Sequence, residues 1–186
     1  MEKDGRRDER LVRRLRYLWR SELLFSFLLP AVAIIGARSR EERLSPFAFG
    51  SMALVSWLLW QGAAYWWLKL RAEKTDSQIP EKALRWFAAL KHVNWALIGS
   101  APFLLIIQAR AGNRFRSTLD AVAGLYFYLT ALLEQVNYYH WQLMYDYPPD
   151  LRDLLRKRRL KRSSLNRAIQ KLEDRGRYEA DDRDER

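Results

Sequence analysis

The chain of 186 residues contains no cysteine, and this absence removes several classes of chemistry. Disulfide exchange, thiolate catalysis and metal sites with cysteine ligands all need a thiol. The chain also has no Asn-x-Ser/Thr sequon, so glycosylation has no support. Gly-rich phosphate loops, the paired histidines of zinc proteases and nucleophile elbows are missing as well. No motif therefore names a reaction, and we predict no cofactor.

Charge is missing from four long windows, although 30% of the chain is Asp, Glu, Lys or Arg and the net charge is +11. Glu134 is the one charged residue inside the windows. A helix needs roughly 20 residues to cross a hydrocarbon core of about 30 Å. The first and third windows reach that length with flanking residues whose Lys or Arg extends to the headgroups. The four windows are Leu23 to Ala37, Leu44 to Leu68, Val93 to Ala109 and Ala121 to Tyr145.

These windows predict an all-α polytopic membrane protein, namely a four-transmembrane-helix bundle with a basic cytosolic helical tail. The crossings are expected at about 18–37, 45–69, 90–109 and 119–146, within a transmembrane domain of 21–147. A soluble bundle is one alternative, but its helices would each show a polar face. A cleaved signal peptide over the first 40 residues is another, but the basic stretch before the first window is too long for one.

The distribution of Lys and Arg predicts the orientation, because cytoplasmic loops retain positive charge. The segment up to Arg20 holds eight, the connection from Lys69 to Lys91 six, and the tail from Arg152 thirteen, whereas the other two loops hold three each. This split of 27 against six predicts N-in/C-in topology. Arginine outnumbers lysine 25 to eight, which favours a GC-rich bacterial genome and hence a bacterial plasma membrane.

The first segment, 1–20, places Leu11, Leu15 and Leu18 at helical spacing among arginines. This pattern is typical of a basic amphipathic helix that lies on the membrane surface before the first crossing. A solvated leader is the alternative interpretation. The segment Ser77 to Glu81 indicates a helix start that leads into the third crossing.

The tail, 148–186, is expected to be cytosolic. Pro148 and Pro149 predict the end of the fourth helix, and Leu165 with Ile169 indicates a further short helix. The end of the tail, residues 178–186, is expected to be disordered.

Six basic side chains crowd into seven positions of this tail, and we expect them to contact anionic lipid headgroups. Docking to a protein partner is the alternative. Nucleic-acid binding is not predicted, because the run has neither a folded reader nor interleaved aromatic side chains for stacking. The predicted partners are therefore membrane lipids with anionic headgroups on the cytoplasmic side, with a protein partner or a homo-oligomer in addition. The six residues are Arg156, Lys157, Arg158, Arg159, Lys161 and Arg162.

Polar residues inside the predicted crossings form a candidate site. An ionisable group at the centre of a spanning helix costs about 2.5 to 3.5 kcal/mol on insertion scales, so each needs a partner or a function. Glu134 is expected near the middle of the fourth helix, with its face directed inward. The predicted topology brings polar residues of all four helices into the cytoplasmic half of the bundle. The members are Glu22, Gln61, His92, Glu134, Asn137 and His140.

This cluster has three interpretations. Hydrogen bonds between helices would fix their register, and a cavity open to the cytoplasm would provide a functional site. Metal binding by His92, His140 and Glu134 is the weakest, because the histidines are not closely spaced, and we predict no metal. On the third helix, the stripe His92, Ala96 and Gly99 is expected to pack inward.

Three functions are compatible with these patterns. The preferred one is a non-enzymatic membrane subunit or anchoring protein that docks partners and anionic lipids at the cytoplasmic face. The second is an oligomeric channel or transporter that uses Glu134 and Asn137. The third is a membrane-embedded enzyme that acts on a lipid or quinone headgroup, with Glu134 as base and His140 as acid.

Overall fold

A computed structural model describes residues 2–110, 115–144, 152, 156 and 159–184. Within these ranges the chain forms five α-helices and no strand, which confirms the predicted all-helical class. A lone antiparallel bridge joins Trp141 and Arg162. The helices are α1 Glu2–Arg38, α2 Pro46–Lys74, α3 Glu81–Arg110, α4 Thr118–Tyr139 and α5 Ser164–Asp184.

Three helices are long and apolar enough to cross a membrane, over Glu9–Arg38, Pro46–Lys74 and Glu81–Arg110. They correspond to the first three predicted crossings. Helix α4 has 22 residues but is not among them. Polar residues such as Glu134 and Asn137 lower its mean hydropathy, so the fourth crossing stays a prediction.

The apolar surface of the helices supports a membrane-embedded protein. Helix α2 is central, with 61% of its most apolar window buried, against 11% in α1 and 22% in α3. The outer helices therefore carry large exposed apolar side chains. Exposing so much apolar surface to water would be unfavourable, whereas lipid chains can cover it. They include Leu24, Phe27, Val32 and Ile35 of α1, Phe103, Ile106 and Ile107 of α3, and Val122, Leu129 and Leu133 of α4.

Helix α1 is one continuous helix of 37 residues, about 55 Å long at 1.5 Å per residue. The expected leader, 1–20, is therefore not a separate surface helix but the first half of α1. Its Leu15 and Leu18 are buried. Leu15 and Leu18 therefore face the rest of the protein.

Helix α4 ends at Tyr139, seven residues before the expected boundary at 146. His140 leaves helical geometry, and the chain then pairs with the tail through Gln142 N to Lys161 O at 2.8 Å and Ser163 N to His140 O at 3.1 Å. Backbone pairing with a distant segment thus replaces the last helical turns. The Pro148-Pro149 stop signal lies outside the described residues.

Helix α5 packs back onto the bundle. Leu165 and Ile169 are buried in a cluster with Leu84 and Phe87 of α3 and Tyr138 of α4. The helix expected around Leu165 and Ile169 is thus present. It continues to Asp184, where the sequence analysis expected disorder from residue 178.

Five helix ends meet at one end of the bundle, which we call the basic end. They are the start of α1, the end of α2, the start of α3, the end of α4 and the start of α5. At the opposite end, Asp120 joins the starts of α2 and α4. Its carboxylate accepts the N–H of Ser45 at 2.7 Å and of Arg116 at 3.0 Å. Ser45 and Ser117 are the N-caps of α2 and α4, so one buried carboxylate bonds the cap of α2 and the residue before the cap of α4.

Candidate functional site

A network of buried amide side chains links three helices. Asn94 of α3 is fully buried and uses all four of its hydrogen-bonding valences. Its Oδ1 accepts from Trp57 Nε1 at 3.0 Å and from Gln61 Nε2 at 3.1 Å. Its Nδ2 donates to Gln61 Oε1 at 2.9 Å and to Gln135 Oε1 at 3.1 Å. The side chain therefore connects α2, α3 and α4 at a single point.

The outer groups of this network also have hydrogen-bond partners. Tyr139 donates its hydroxyl to Gln61 Oε1 at 2.6 Å, and Gln135 Nε2 donates to the Lys91 carbonyl at 3.1 Å. Because its amide groups are paired with one another, this network fixes helix positions rather than presenting free groups to a ligand.

A second polar group lies between α1, α2 and α4. Trp66 Nε1 donates to Glu22 Oε1 at 2.8 Å. The other oxygen of Glu22 is buried against the Tyr138 hydroxyl and the backbone of Gly62, without a hydrogen bond of normal geometry in the described chain. Glu134 also neighbours the Tyr138 hydroxyl. Two carboxyl groups from α1 and α4 thus flank one phenol.

Asn137 completes this group from one turn further along α4. Its Nδ2 donates to Glu134 Oε2 at 3.4 Å, and its Oδ1 accepts the N–H of Leu143 at 2.9 Å. Since α4 ends at Tyr139, Glu134 lies five residues from the end of the helix and not near its middle as expected. The polar group consequently lies close to the basic end of the bundle, near the last turn of α4.

The structure brings four of the six predicted residues to this half of the bundle interior and leaves two outside. Glu22, Glu134 and Asn137 form one group, and Gln61 belongs to the neighbouring amide network. His92 is exposed on the outer side of α3.

His140 also lies apart from the predicted group. It follows the end of α4, where its Nε2 accepts from Trp95 Nε1 at 3.2 Å. Partial burial and the charge of Lys91 lower the pKa of His140 from its usual value. Among the described residues, no three His, Asp or Glu side chains are grouped to hold a metal ion.

The distribution of buried residues around α3 explains why His92 is exposed. The expected stripe of His92, Ala96 and Gly99 is exposed. The buried residues of α3 are Leu84, Phe87, Leu90, Asn94, Ile98, Ala101 and Gln108. The inward assignment of that stripe was wrong, because a helix apolar on both sides gives little contrast between them. Asn94 was missed, although it is one of only two amides, with Gln108, between Val93 and Ala109.

A cavity of about 170 Å³ opens at the basic end, between α1, α2, α4 and α5. This is smaller than the roughly 300 to 1,000 Å³ typical of drug-sized ligands, and it suits a polar headgroup. Four cationic side chains line it, one from each of α1, α2 and α5 and one from the segment before α5. They are Arg14, Lys69, Arg167 and Lys161.

Lys69 occupies the centre of this charge cluster. Its Nζ lies 2.7 Å from Ser164 Oγ and over the rings of Tyr65 and Trp66, at 6.0 and 5.4 Å from their centroids. Arg14, Lys161 and Arg167 are near enough to act electrostatically on it, and Glu73 is the nearby carboxylate.

The remaining lining of the cavity combines apolar and aromatic side chains with amide and hydroxyl groups and with one carboxyl group, that of Glu22. Leu11, Leu15 and Leu18 supply the wall on the α1 side, and Glu22 joins the cavity to the polar group around Tyr138. A cationic wall facing a leucine wall suits an amphiphilic anion.

No family model, curated protein or solved structure matches this chain.

The predicted lipid-contact run lies only partly in the cavity. Arg156, Arg159, Lys161 and Arg162 are exposed, and Lys161 also lines the cavity. Arg162 Nη1 donates to Gln170 Oε1 at 2.6 Å. Lys157 and Arg158 lie outside the described residues. Sequence reasoning missed Arg14, Lys69, Ser164 and Arg167, because the segments that carry them meet only through the folding back of the tail.

Proposed function

We propose that this chain crosses a bacterial plasma membrane four times, with both termini in the cytoplasm. Helix α4 supports a fourth crossing, because its 22 residues span about 33 Å at 1.5 Å per residue. The distribution of positive charge supports the orientation, since the basic end gathers the segments that hold 27 of the 33 Lys and Arg.

The function that the geometry supports best is binding of anionic phospholipid headgroups at the cytoplasmic face, by a membrane anchoring or interaction protein. The single observation that carries it is the cavity lined by Arg14, Lys69, Lys161 and Arg167 on one side and by leucines on the other. Basic pockets between membrane helices on the cytoplasmic side are typical sites for anionic headgroups.

Charge-removing variants test this binding. The protein would be purified in nanodiscs of phosphatidylcholine with a minor fraction of phosphatidylglycerol, and retained lipid counted by native mass spectrometry. We expect Lys69→Gln and Arg167→Gln each to weaken phosphatidylglycerol retention about fivefold. This follows because one basic residue near an anionic surface contributes roughly 1 kcal/mol of binding free energy. The same spectra would report a protein partner or a second copy of the chain.

Arg85→Gln is the matched control. Arg85 lies on α3 and is highly exposed, and it pairs with Glu81 at 3.7 Å, so its loss should leave lipid retention unchanged. Equal losses in all three variants would mean that overall charge rather than the cavity binds the lipid, and would contradict the proposal.

A reporter fusion tests the topology. A fluorescent protein that folds only in the cytoplasm should light up when fused after Arg186 and stay dark when inserted near Arg40, in the loop between α1 and α2. The reverse pattern would refute the orientation. Fluorescence at both positions or at neither would mean an even number of crossings between them, and would refute the proposal that α2, α3 and α4 all cross.

A further inference from the structure

Ser164 and Lys69 are placed as a nucleophile and a base. Lys69 Nζ lies 2.7 Å from Ser164 Oγ, a distance over which a lysine amine can take the hydroxyl proton. The Tyr65 hydroxyl lies 2.8 Å from the same Oγ and fixes its position from the other side. Ser164 is partly accessible and lines the basic cavity, so a ligand there can reach Oγ.

The electrostatic surroundings suit such a pair. Proteins activate a lysine amine by placing it in a desolvated pocket or next to other cationic groups. Lys69 has both features, since it lies against the Tyr65 and Trp66 rings and Arg14, Lys161 and Arg167 act on it. In its neutral form the Lys69 amine can accept the Ser164 hydroxyl proton across this same 2.7 Å contact.

The position of Ser164 in the fold supplies a means of stabilising negative charge. Ser164 is the first residue of α5, and Ser163 caps that helix by accepting the N–H of Asn166 on its Oγ at 3.1 Å. The first N–H groups of a helix have no partner within the helix and point toward its N-terminus. An oxyanion formed beside Ser164 would thus meet N–H groups and the Arg167 side chain.

We propose that Ser164 and Lys69 form a catalytic pair that cleaves a carboxylic ester of an anionic amphiphile, such as the acyl ester of a phospholipid. This inference rests on the proposed function, because the cationic side chains hold the phosphate while the acyl chain lies along the leucine wall. Tyr65 is a positioning residue that orients Ser164 Oγ.

The reaction is a two-step acyl transfer. Lys69 takes the proton of Ser164 as Oγ attacks the ester carbonyl carbon, which forms a tetrahedral oxyanion. The bond between the carbonyl carbon and the alkoxy oxygen breaks, and the Lys69 ammonium returns the proton to the departing oxygen. Water, deprotonated by Lys69, then attacks the acyl-serine, which releases the fatty acid and restores the Ser164 hydroxyl.

A fluorophosphonate probe on the whole protein in nanodiscs tests the nucleophile. The probe should add once, and peptide mass spectrometry should place the adduct on Ser164. Ser164→Ala should abolish labelling. Lys69→Arg keeps the positive charge but cannot accept a proton, and it should slow labelling by about 100-fold or more, as expected for loss of a general base. Ser100→Ala, on the exposed side of α3, should label like the wild type.

The substrate is tested in the same preparation. Nanodiscs containing phosphatidylglycerol should accumulate lysophospholipid and free fatty acid, whereas diacylglycerol, which has no phosphate, should be cleaved at least tenfold more slowly. Ser164→Ala should release neither product.

Three results would overturn the inference: no labelling of the wild type from neutral to alkaline pH, an adduct mapped to another residue, or wild-type labelling in Lys69→Arg. Phosphatidylglycerol retention separates this failure from failure of the proposed function. If the probe fails to label the wild type, but the wild type and Ser164→Ala both retain phosphatidylglycerol, then headgroup binding is supported and the catalytic pair is refuted. If Ser164→Ala does not fold, adduct mapping on the wild type and the Lys69→Arg rate still decide.

Discussion

Replacing Asn94 with alanine should destabilise the helix bundle by about 2 to 3 kcal/mol. Asn94 makes four hydrogen bonds to side chains of α2 and α4, and hydrogen bonds between membrane helices average about 0.6 kcal/mol each, which gives about 2.4 kcal/mol. The loss also leaves Trp57 Nε1 without the acceptor it has in the native network. The change removes buried polar contacts while adding no charge or bulk.

Equilibrium unfolding in mixed micelles of dodecyl maltoside and sodium dodecyl sulfate would measure the change in unfolding free energy. Ser100→Ala is the matched control on the same helix, because its exposed hydroxyl bonds only to Leu97 O within its own turn. We expect the control to stay within about 0.5 kcal/mol of the wild type.

A double-mutant cycle with Gln61 separates the pairwise interaction from general disruption. Asn94 and Gln61 share two reciprocal hydrogen bonds, so a cycle of Asn94→Ala and Gln61→Ala should show a coupling energy of about 1.2 kcal/mol. A loss below about 0.5 kcal/mol in Asn94→Ala, or additive effects in the double variant, would show that the amide network does not stabilise the bundle.

Three further outcomes follow from other contacts. Asp120→Ala should lower the unfolding free energy by about 3 kcal/mol in the same assay, and Asp120→Asn by less, because two backbone N–H groups lose a charged acceptor. Gly62→Ala should cost about 1 to 3 kcal/mol, whereas Gly99→Ala, which meets open space, should change little. The lowered pKa of His140 favours its neutral form in the folded state, so its contribution to stability is present above about pH 6.5 and lost on acidification. A fluorescence difference against Trp95→Phe should report the broken Trp95 to His140 bond, and a pH-independent difference would contradict this.

Local signals predicted the helices well. Three charge-free windows correspond to the long apolar helices α1, α2 and α3, because a helix that faces lipid has to exclude charge. The fourth window, which contains Glu134, corresponds to α4. The segment Ser77 to Glu81 was expected to start the helix that leads into the third crossing, and α3 begins at Glu81, since a helix start depends on a few adjacent side chains.

Inward faces were harder to assign. In water the polar side of a helix identifies its exposed face, but in lipid both sides are apolar and this contrast is lost. Small residues were taken to mark the interior of α3, yet Gly99 has open space where its Cβ would be. The amides Asn94 and Gln108, which are both buried, marked the inward face correctly, because an amide in lipid requires partners.

The candidate site could not have been assembled from spacing. Lys69 and Ser164 are 95 residues apart, and no periodicity relates them. Their contact depends on the early end of α4 at Tyr139 and on the backbone pairing that returns the tail to the bundle. The sequence placed Glu134 too deep for the same reason, since it contains no strong stop signal at Tyr139.

The returning tail has a consequence for biosynthesis. Ser163, Ser164, Leu165 and Arg167 complete the cavity wall, although all the apolar helices precede them in the chain. All the hydrophobic helices are therefore synthesised before the last components of the pocket. The cavity is complete only after the tail has been made and has folded back onto these helices.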